Sequence, residues 1–162
     1  MELREIQRPL KQRYREEPSA AWITLTARGS ETEGPAACSV QVGRAIHQAQ
    51  AHAGVGGAGT AACSGDLLLG ALAACSQLTC QMVAAAMGVE TERIEAVVEG
   101  DLDLRGTLGI GDVPVGFQEI RLRLEIDAPD ADPEELARLR EKTEQYCVVL
   151  RTLLEPPPVG LG

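Results

Sequence analysis

The chain has 162 residues, a formal net charge of −9 at neutral pH, and only one Trp, two Tyr and one Phe. That length fits one ordinary domain, and a hydrophobic content of 44% is enough for a core, which must be aliphatic. The acidic balance works against phosphate backbones and anionic membranes, and the scarcity of aromatic platforms against the modules that stack bases.

Residues 1–19 read as an N-terminal arm and 20–162 as a single domain. The arm holds the one local basic excess, Arg4 to Arg15, with Leu3, Ile6, Leu10 and Tyr14 at helix-like spacing broken by Pro9. Docking against the domain or a partner subunit fits it better than nucleic acid. Ala21, Ile23, Leu25 and Ala27 then alternate with Trp22, Thr24 and Thr26, and Cys38, Val40 and Val42 with Ser39 and Gln41. This predicts two antiparallel strands joined through the small and polar residues from Gly29 to Ala36.

Gly43 to Ser64 reads as a flexible loop. Gly54, Gly56 and Gly59 satisfy the dinucleotide spacing G-x-G-x-x-G, but five residues separate Gly59 from the next helix, and no acidic residue ends a following strand. His47 and His52 have no cysteine or carboxylate at metal-ligand spacing, so no metal is expected and both histidines read as structural or pocket-lining.

Leu67 to Gly88 predicts a long helix. Ser64 is a candidate N-cap, Asp66 lies in the first turn, where the dipole favours a carboxylate, and Gly88 suits a left-handed C′ position. The stretch is about long enough to span a bilayer, but Ser76, Gln77, Thr79 and Gln81 interrupt it, its ends lack aromatic residues, and Asp66, Glu90 and Glu92 flank it where basic anchors belong. A buried soluble helix without membrane contact is the better reading. Ile94 to Leu104 and Gln118 to Ile126 alternate as strands with one wet face. Asp132-Pro133-Glu134-Glu135 opens a second helix that runs to Tyr146, and Pro156-Pro157-Pro158 ends regular structure. The predicted fold class is α+β, without internal repeats.

Two of the five cysteines occupy corresponding places. Cys75 shares a helix face with Leu68, Ala71, Leu72, Thr79 and Met82, so it should point inward, and Cys147 continues the stripe Leu136, Leu139 and Thr143. Both sulfurs face whatever their helices pack against, an arrangement suited to thiol redox chemistry. An odd cysteine count without a cleavable signal peptide predicts a reducing, cytoplasmic compartment rather than a secreted disulfide framework. Cys38, Cys63 and Cys80 read as packing, Cys80 on a different face from Cys75. Thr79 is read as a structural hydroxyl.

The run Gly65-Asp66-Leu67-Leu68-Leu69-Gly70-Ala71-Leu72-Ala73-Ala74-Cys75-Ser76-Gln77-Leu78-Thr79, followed about seventy residues later by Tyr146-Cys147-Val148-Val149, resembles the OsmC/Ohr superfamily of osmotically inducible and organic hydroperoxide resistance proteins. The resemblance runs from Trp22 to the C-terminus. It implies an OsmC-like fold, with antiparallel sheets packed around the long central helix that carries Cys75, in an intertwined homodimer. It also implies that Cys75 is the peroxidatic nucleophile and Cys147 the thiol that resolves it. The family often has Pro-Glu ten or eleven residues before the first cysteine, where this chain has Ser64 and Gly65, and many relatives have proline where it has Val148.

A thiolate that attacks a peroxide becomes a sulfenic acid, and a second thiol traps it as a disulfide before further oxidation. Mid-helix, Cys75 gains little from the dipole, and an apolar site alone would raise its pKa, so an arginine from elsewhere is expected. Arg28 and Arg44 lie in the strand region from which the family supplies its arginine, with Arg28 preferred because it ends a strand at a Gly-containing turn. The expectation is therefore a cofactor-free, thiol-dependent peroxidase that takes organic hydroperoxides and a dithiol reductant. The alternatives are a non-enzymatic dimer of the same fold that binds a small molecule or senses oxidants, and a thiol hydrolase or acyl-transfer enzyme. The last is disfavoured because no His is placed as a general base for Cys75.

Overall fold

The computed structural model describes residues 3–32 and 36–162. The elements run α1 (Leu3–Glu16), β1 (Ala27–Glu31), β2 (Ala37–Val42), β3 (Ala45–Gln50), α2 (Ser64–Met87), β4 (Arg93–Leu102), α3 (Leu104–Leu108), β5 (Phe117–Asp127), α4 (Pro133–Tyr146) and α5 (Val148–Leu154), with 3-10 turns at Pro18–Ala21 and Ala53–Val55. The fold is α+β, with two small antiparallel sheets and one long helix. Contacts divide the chain into two compact units, Met1–Lys11, Gly70–Glu99 and Arg121–Gly162 in one, and Gln12–Leu69 and Gly100–Ile120 in the other.

In the first unit the core is aliphatic. Cys80, Val83 and Ala84 of α2 pack with Leu139 of α4, and Met87, Val89, Ile94, Leu124 and Ile126 close around them. The buried stripe of α2 is Leu72, Ser76, Cys80, Val83 and Ala84. This corrects the predicted inward face: Cys75 is half-buried at the edge of that stripe, while Leu68, Ala71 and Met82 on its own face are exposed. By length and composition alone α2 would pass for a spanning helix, yet it carries this core stripe of a folded unit. Gly88, at φ +78°, closes α2 by sending its N–H to the Ala84 carbonyl at 2.9 Å, as the sequence leads one to expect.

α4 opens on a full capping box. The Asp132 carboxylate accepts the Glu135 N–H at 2.8 Å and the Glu135 carboxylate accepts the Asp132 N–H at 3.1 Å, with Pro133 in the first turn. Its predicted stripe is inward, with Leu139, Thr143 and Cys147 buried and Leu136 half-buried. α1 is continuous through Pro9, which does not break it as expected. The proline forfeits one N–H, and the carbonyl it would have served is on the exposed Glu5 and can be hydrated. Arg4 donates to the Ala86 carbonyl at 2.6 Å, supplying a cation to the open carbonyl end of α2.

In the second unit β1, β2 and β3 form an antiparallel meander, with Gly29 opposite Val40 and Val40 opposite His47. The hairpin is as predicted but its first strand begins later. Ala21 belongs to a 3-10 turn, 22–26 have no regular structure, and Ala27–Glu31 pair with β2. Trp22 is 87% exposed, so nothing in a single chain fixes the alternation of 21–27 as a ladder. The predicted loop from Gly43 also holds β3, begun by a tight turn with Gly43 at φ +57°. The predicted connection Gly29 to Ala36 is shortened at its start, and its residues 33–35 lie outside the described residues. Gly100 leaves room for the Phe117 ring, since a Cβ there would sit 2.7 Å from it.

Candidate active site

Cys147 occupies the joint between α4 and α5, with φ −71° and ψ 105°, capping the end of one helix and the start of the next. Its N–H donates to the Thr143 carbonyl at 2.9 Å and its carbonyl accepts the Arg151 N–H at 2.9 Å. The side chain is fully buried and meets α2, where its sulfur lies 3.4 Å from the Ser76 hydroxyl oxygen and its thiol is one of the groups that lower the Cys75 pKa. The two cysteines singled out in the sequence thus interact within one unit, and all five cysteines are free thiols.

Burial pushes the Cys75 thiol up, but four donors outweigh it and hold its pKa below the ordinary thiol value. They are the Val149 N–H, the Cys147 thiol, the Thr79 hydroxyl and the Val148 N–H. Two of them are the first backbone amides of α5, a helix the sequence reading did not predict; its seven residues are too short for a periodicity signal. The mid-helix Cys75 therefore draws on the open amides of another helix rather than its own. Thr79, read as structural, is one of the groups that lower the pKa of the reactive thiol.

Cys80 behaves as expected of a packing thiol. It is fully buried, and burial pushes its pKa up against the hydrogen bond from Thr143 and the charge of Arg140. Cys38 is half-buried on β2. Cys63 precedes α2, and its N–H donates to the Asp66 carboxylate at 2.9 Å, which with the Cys63 thiol holds Asp66 below the usual carboxylate range. Asp66 is thus a capping carboxylate, reaching back from the third helical residue, and α2 begins at Ser64 itself.

Arg28 and Arg44 both belong to the second unit. Arg28 is exposed on β1 opposite Gln41, and Arg44 is exposed at the turn into β3. His47 is exposed on β3, and the His52 ring nitrogen accepts the Gly54 N–H at 3.0 Å, a structural role. Among the described residues no group of His, Cys, Asp or Glu could hold a metal ion.

A cavity of about 570 Å³ opens in the first unit, lined by Thr79, one turn after Cys75, and by Tyr146, which precedes Cys147. Met82, Val83, Ala86 and Met87 give it one apolar side, and Gln7, Lys11, Lys142 and Tyr146 add polar groups. Ser76 is the site residue that sequence reasoning missed. A serine inside an apolar stripe was the available signal, since a buried hydroxyl needs a partner.

A cysteine with a depressed pKa, interacting with a second thiol near a partly apolar cavity, defines a thiol-chemistry site on an α+β scaffold. The family model for OsmC-like protein matches residues 57–162, and the chain belongs to that family. No curated protein sequence matches it. Among solved structures it is similar to an OsmC-like protein from Mycoplasma pneumoniae, at 19% identity and a TM-score of 0.68, over 83% of this chain and 89% of that one. It is also similar to an organic hydroperoxide resistance protein from Elizabethkingia anophelis, at 19% identity and TM-score 0.63, over 84% and 91% of the two chains. A third likeness is to an organic hydroperoxide resistance protein OsmC from Legionella pneumophila, at 18% identity and TM-score 0.60, over 83% and 92%. At these identities the likeness is one of fold.

Proposed function

We propose that the protein is a cofactor-free, thiol-dependent peroxidase that reduces organic hydroperoxides. The observation that carries the reading is the interaction of Cys75 with Cys147, together with the two α5 amides that favour the Cys75 thiolate. The thiolate attacks the distal peroxide oxygen, the O–O bond breaks, and the alkoxide leaves and is protonated to the alcohol. Cys75 is then a sulfenic acid. Cys147 attacks its sulfur, the S–S bond forms, the S–O bond breaks, and the proton lost by Cys147 leaves with the hydroxide as water. A dithiol reductant restores both thiols by exchange and is itself oxidised to a disulfide. The apolar cavity wall suits the alkyl group, and the names of the two hydroperoxide resistance relatives support the substrate class.

The same reading gives Arg28, or failing it Arg44, the part of a cation that completes the activation of Cys75. It also includes a homodimer in a reducing, cytoplasmic setting, with no nucleic-acid or membrane partner. α2 has no charged residue between Leu67 and Gly88, and its row Gly70, Ala74, Leu78, Gln81 and Ala85 is exposed in the single chain, Leu78 by 59%. An uncharged row, small at Gly70, Ala74 and Ala85, suits close approach of a second α2.

The test is turnover of an alkyl hydroperoxide with a dithiol, against hydrogen peroxide under the same conditions, with peptide mapping of the oxidised protein. Preference for the alkyl substrate and a Cys75–Cys147 disulfide are expected. Oxidation without turnover would favour the redox-sensing alternative, and a disulfide from Cys75 to Cys38 or Cys80 would refute the two-cysteine mechanism.

A further inference from the structure

Ser76 is fully buried, and it is the one hydroxyl in the α2 stripe otherwise made of Leu72, Cys80, Val83 and Ala84. Its oxygen lies 3.4 Å from the sulfur of Cys147, which is equally buried and whose thiol also acts on Cys75. Residues 75 and 76 are about 100° apart around the helix, so the Cys147 sulfur is held across two adjacent positions of α2. A thiol has a single proton to donate. When Cys75 is the thiolate, that proton points at Cys75, and the Cys147 sulfur is left to accept from Ser76. The donors then run in one direction, from the Ser76 hydroxyl to Cys147 and from the Cys147 thiol to Cys75, an order in which each bond polarises the next.

We propose that Ser76 is a positioning residue for Cys147, holding its sulfur by donation and supporting the negative charge that this sulfur carries while it closes the disulfide on Cys75. The inference rests on the assignment of Cys75 and Cys147 made above. Once Cys75 is a sulfenic acid, Cys147 loses its proton and attacks; S–S forms, S–O breaks, and water carries away the proton and the hydroxide. A buried thiolate without donors is unfavourable, and the Ser76 hydroxyl is in place to offset that cost.

The experiment compares the full chain with Ser76→Ala and Ser76→Thr, following Cys75 sulfenic acid formation and Cys75–Cys147 closure separately by rapid quench and mass spectrometry. Closure is driven in one arm by an alkyl hydroperoxide. In the other it is driven by diamide, an azodicarboxamide that accepts two electrons and two protons as the thiols become a disulfide. Ser76→Ala should slow closure about tenfold, the effect of losing one hydrogen bond to a charged group, and leave sulfenic acid formation within a few-fold of native. Ser76→Thr, which keeps the hydroxyl, should restore closure, a rescue that a packing role would not give. Should the native protein ignore the hydroperoxide while diamide closure still depends on the hydroxyl, the peroxidase reading fails and the role of Ser76 stands. Closure in Ser76→Ala within twofold of native, in whichever arms react, would overturn the proposal.

Discussion

The Gln77 carboxamide bonds β4 as a neighbouring strand would: its oxygen accepts the Ala96 N–H at 3.0 Å and its amide donates to the Ile94 carbonyl at 2.8 Å. The tie lies two residues after Cys75 and fixes the rotation of α2, and with it the direction of the Cys75 side chain. Gln77→Ala leaves both half-buried backbone groups short of a partner, and should cost about 2 kcal/mol by urea denaturation. A loss below about 0.5 kcal/mol would mean that water replaces the side chain at no cost.

The low pKa of Cys75 sets the pH profile. Its thiolate predominates from a lower pH than an ordinary cysteine's, so the alkylation rate should rise with pH and level off at a lower pH than that of an ordinary cysteine. Thr79→Val removes one donor at nearly constant volume, so the midpoint should move up. A midpoint that stays in place would remove Thr79 from the set of activating donors.

For the arginine, pH-dependent alkylation of Cys75 in Arg28→Ala should show a raised midpoint, with Arg44→Ala unchanged. The reverse outcome assigns the part to Arg44. If neither variant shifts the midpoint, the α5 amides, the Cys147 thiol and Thr79 suffice without a cation.

Sedimentation equilibrium at low micromolar concentration should find a dimer. Leu78→Glu, which puts a charge in the middle of the exposed uncharged row, should convert it to monomer. A native protein that is a folded, stable monomer under these conditions rules out the dimer proposal.

Removing the α4 cap with Asp132→Ala should cost about 1 kcal/mol and shift the denaturation midpoint accordingly. Asp132 lies a full helix away from Cys147, so the Cys75 alkylation midpoint should stay at its native value. If the midpoint moves as well, the geometry of the thiol pair depends on the whole length of α4.

The helices were legible where their signals are local. Asp132 with Glu135, and Gly88 after an apolar run, act within one turn and do not depend on tertiary partners. The inward faces were only partly legible, since Leu68, Ala71 and Met82 satisfy helical periodicity yet stay exposed, while Ser76 breaks the apolar pattern and is buried. β3 escaped notice because Ala45–Gln50, with Ala45 and Ile46 adjacent and His47 and Gln48 following, shows no two-residue alternation, and the backbone ladder to β2 decides its conformation. The thiol pair was visible as two residues on two stripes, but its activation was not. The activating amides belong to backbone that only the folded chain brings to Cys75, and no side-chain pattern encodes them.

Cys147, Val148 and Val149 are consecutive, and together they provide the second thiol and two of the amides that lower the Cys75 pKa. Acidity at one sulfur and access to the other are therefore mechanically geared through a three-residue segment. Strain that swings the segment away from α2 weakens both at once, so a damaged site would go quiet instead of keeping an activated cysteine that has lost its partner. Insertions or flexible residues at this joint are consequently the changes this scaffold should tolerate least, even though Val148 itself stands open to solvent.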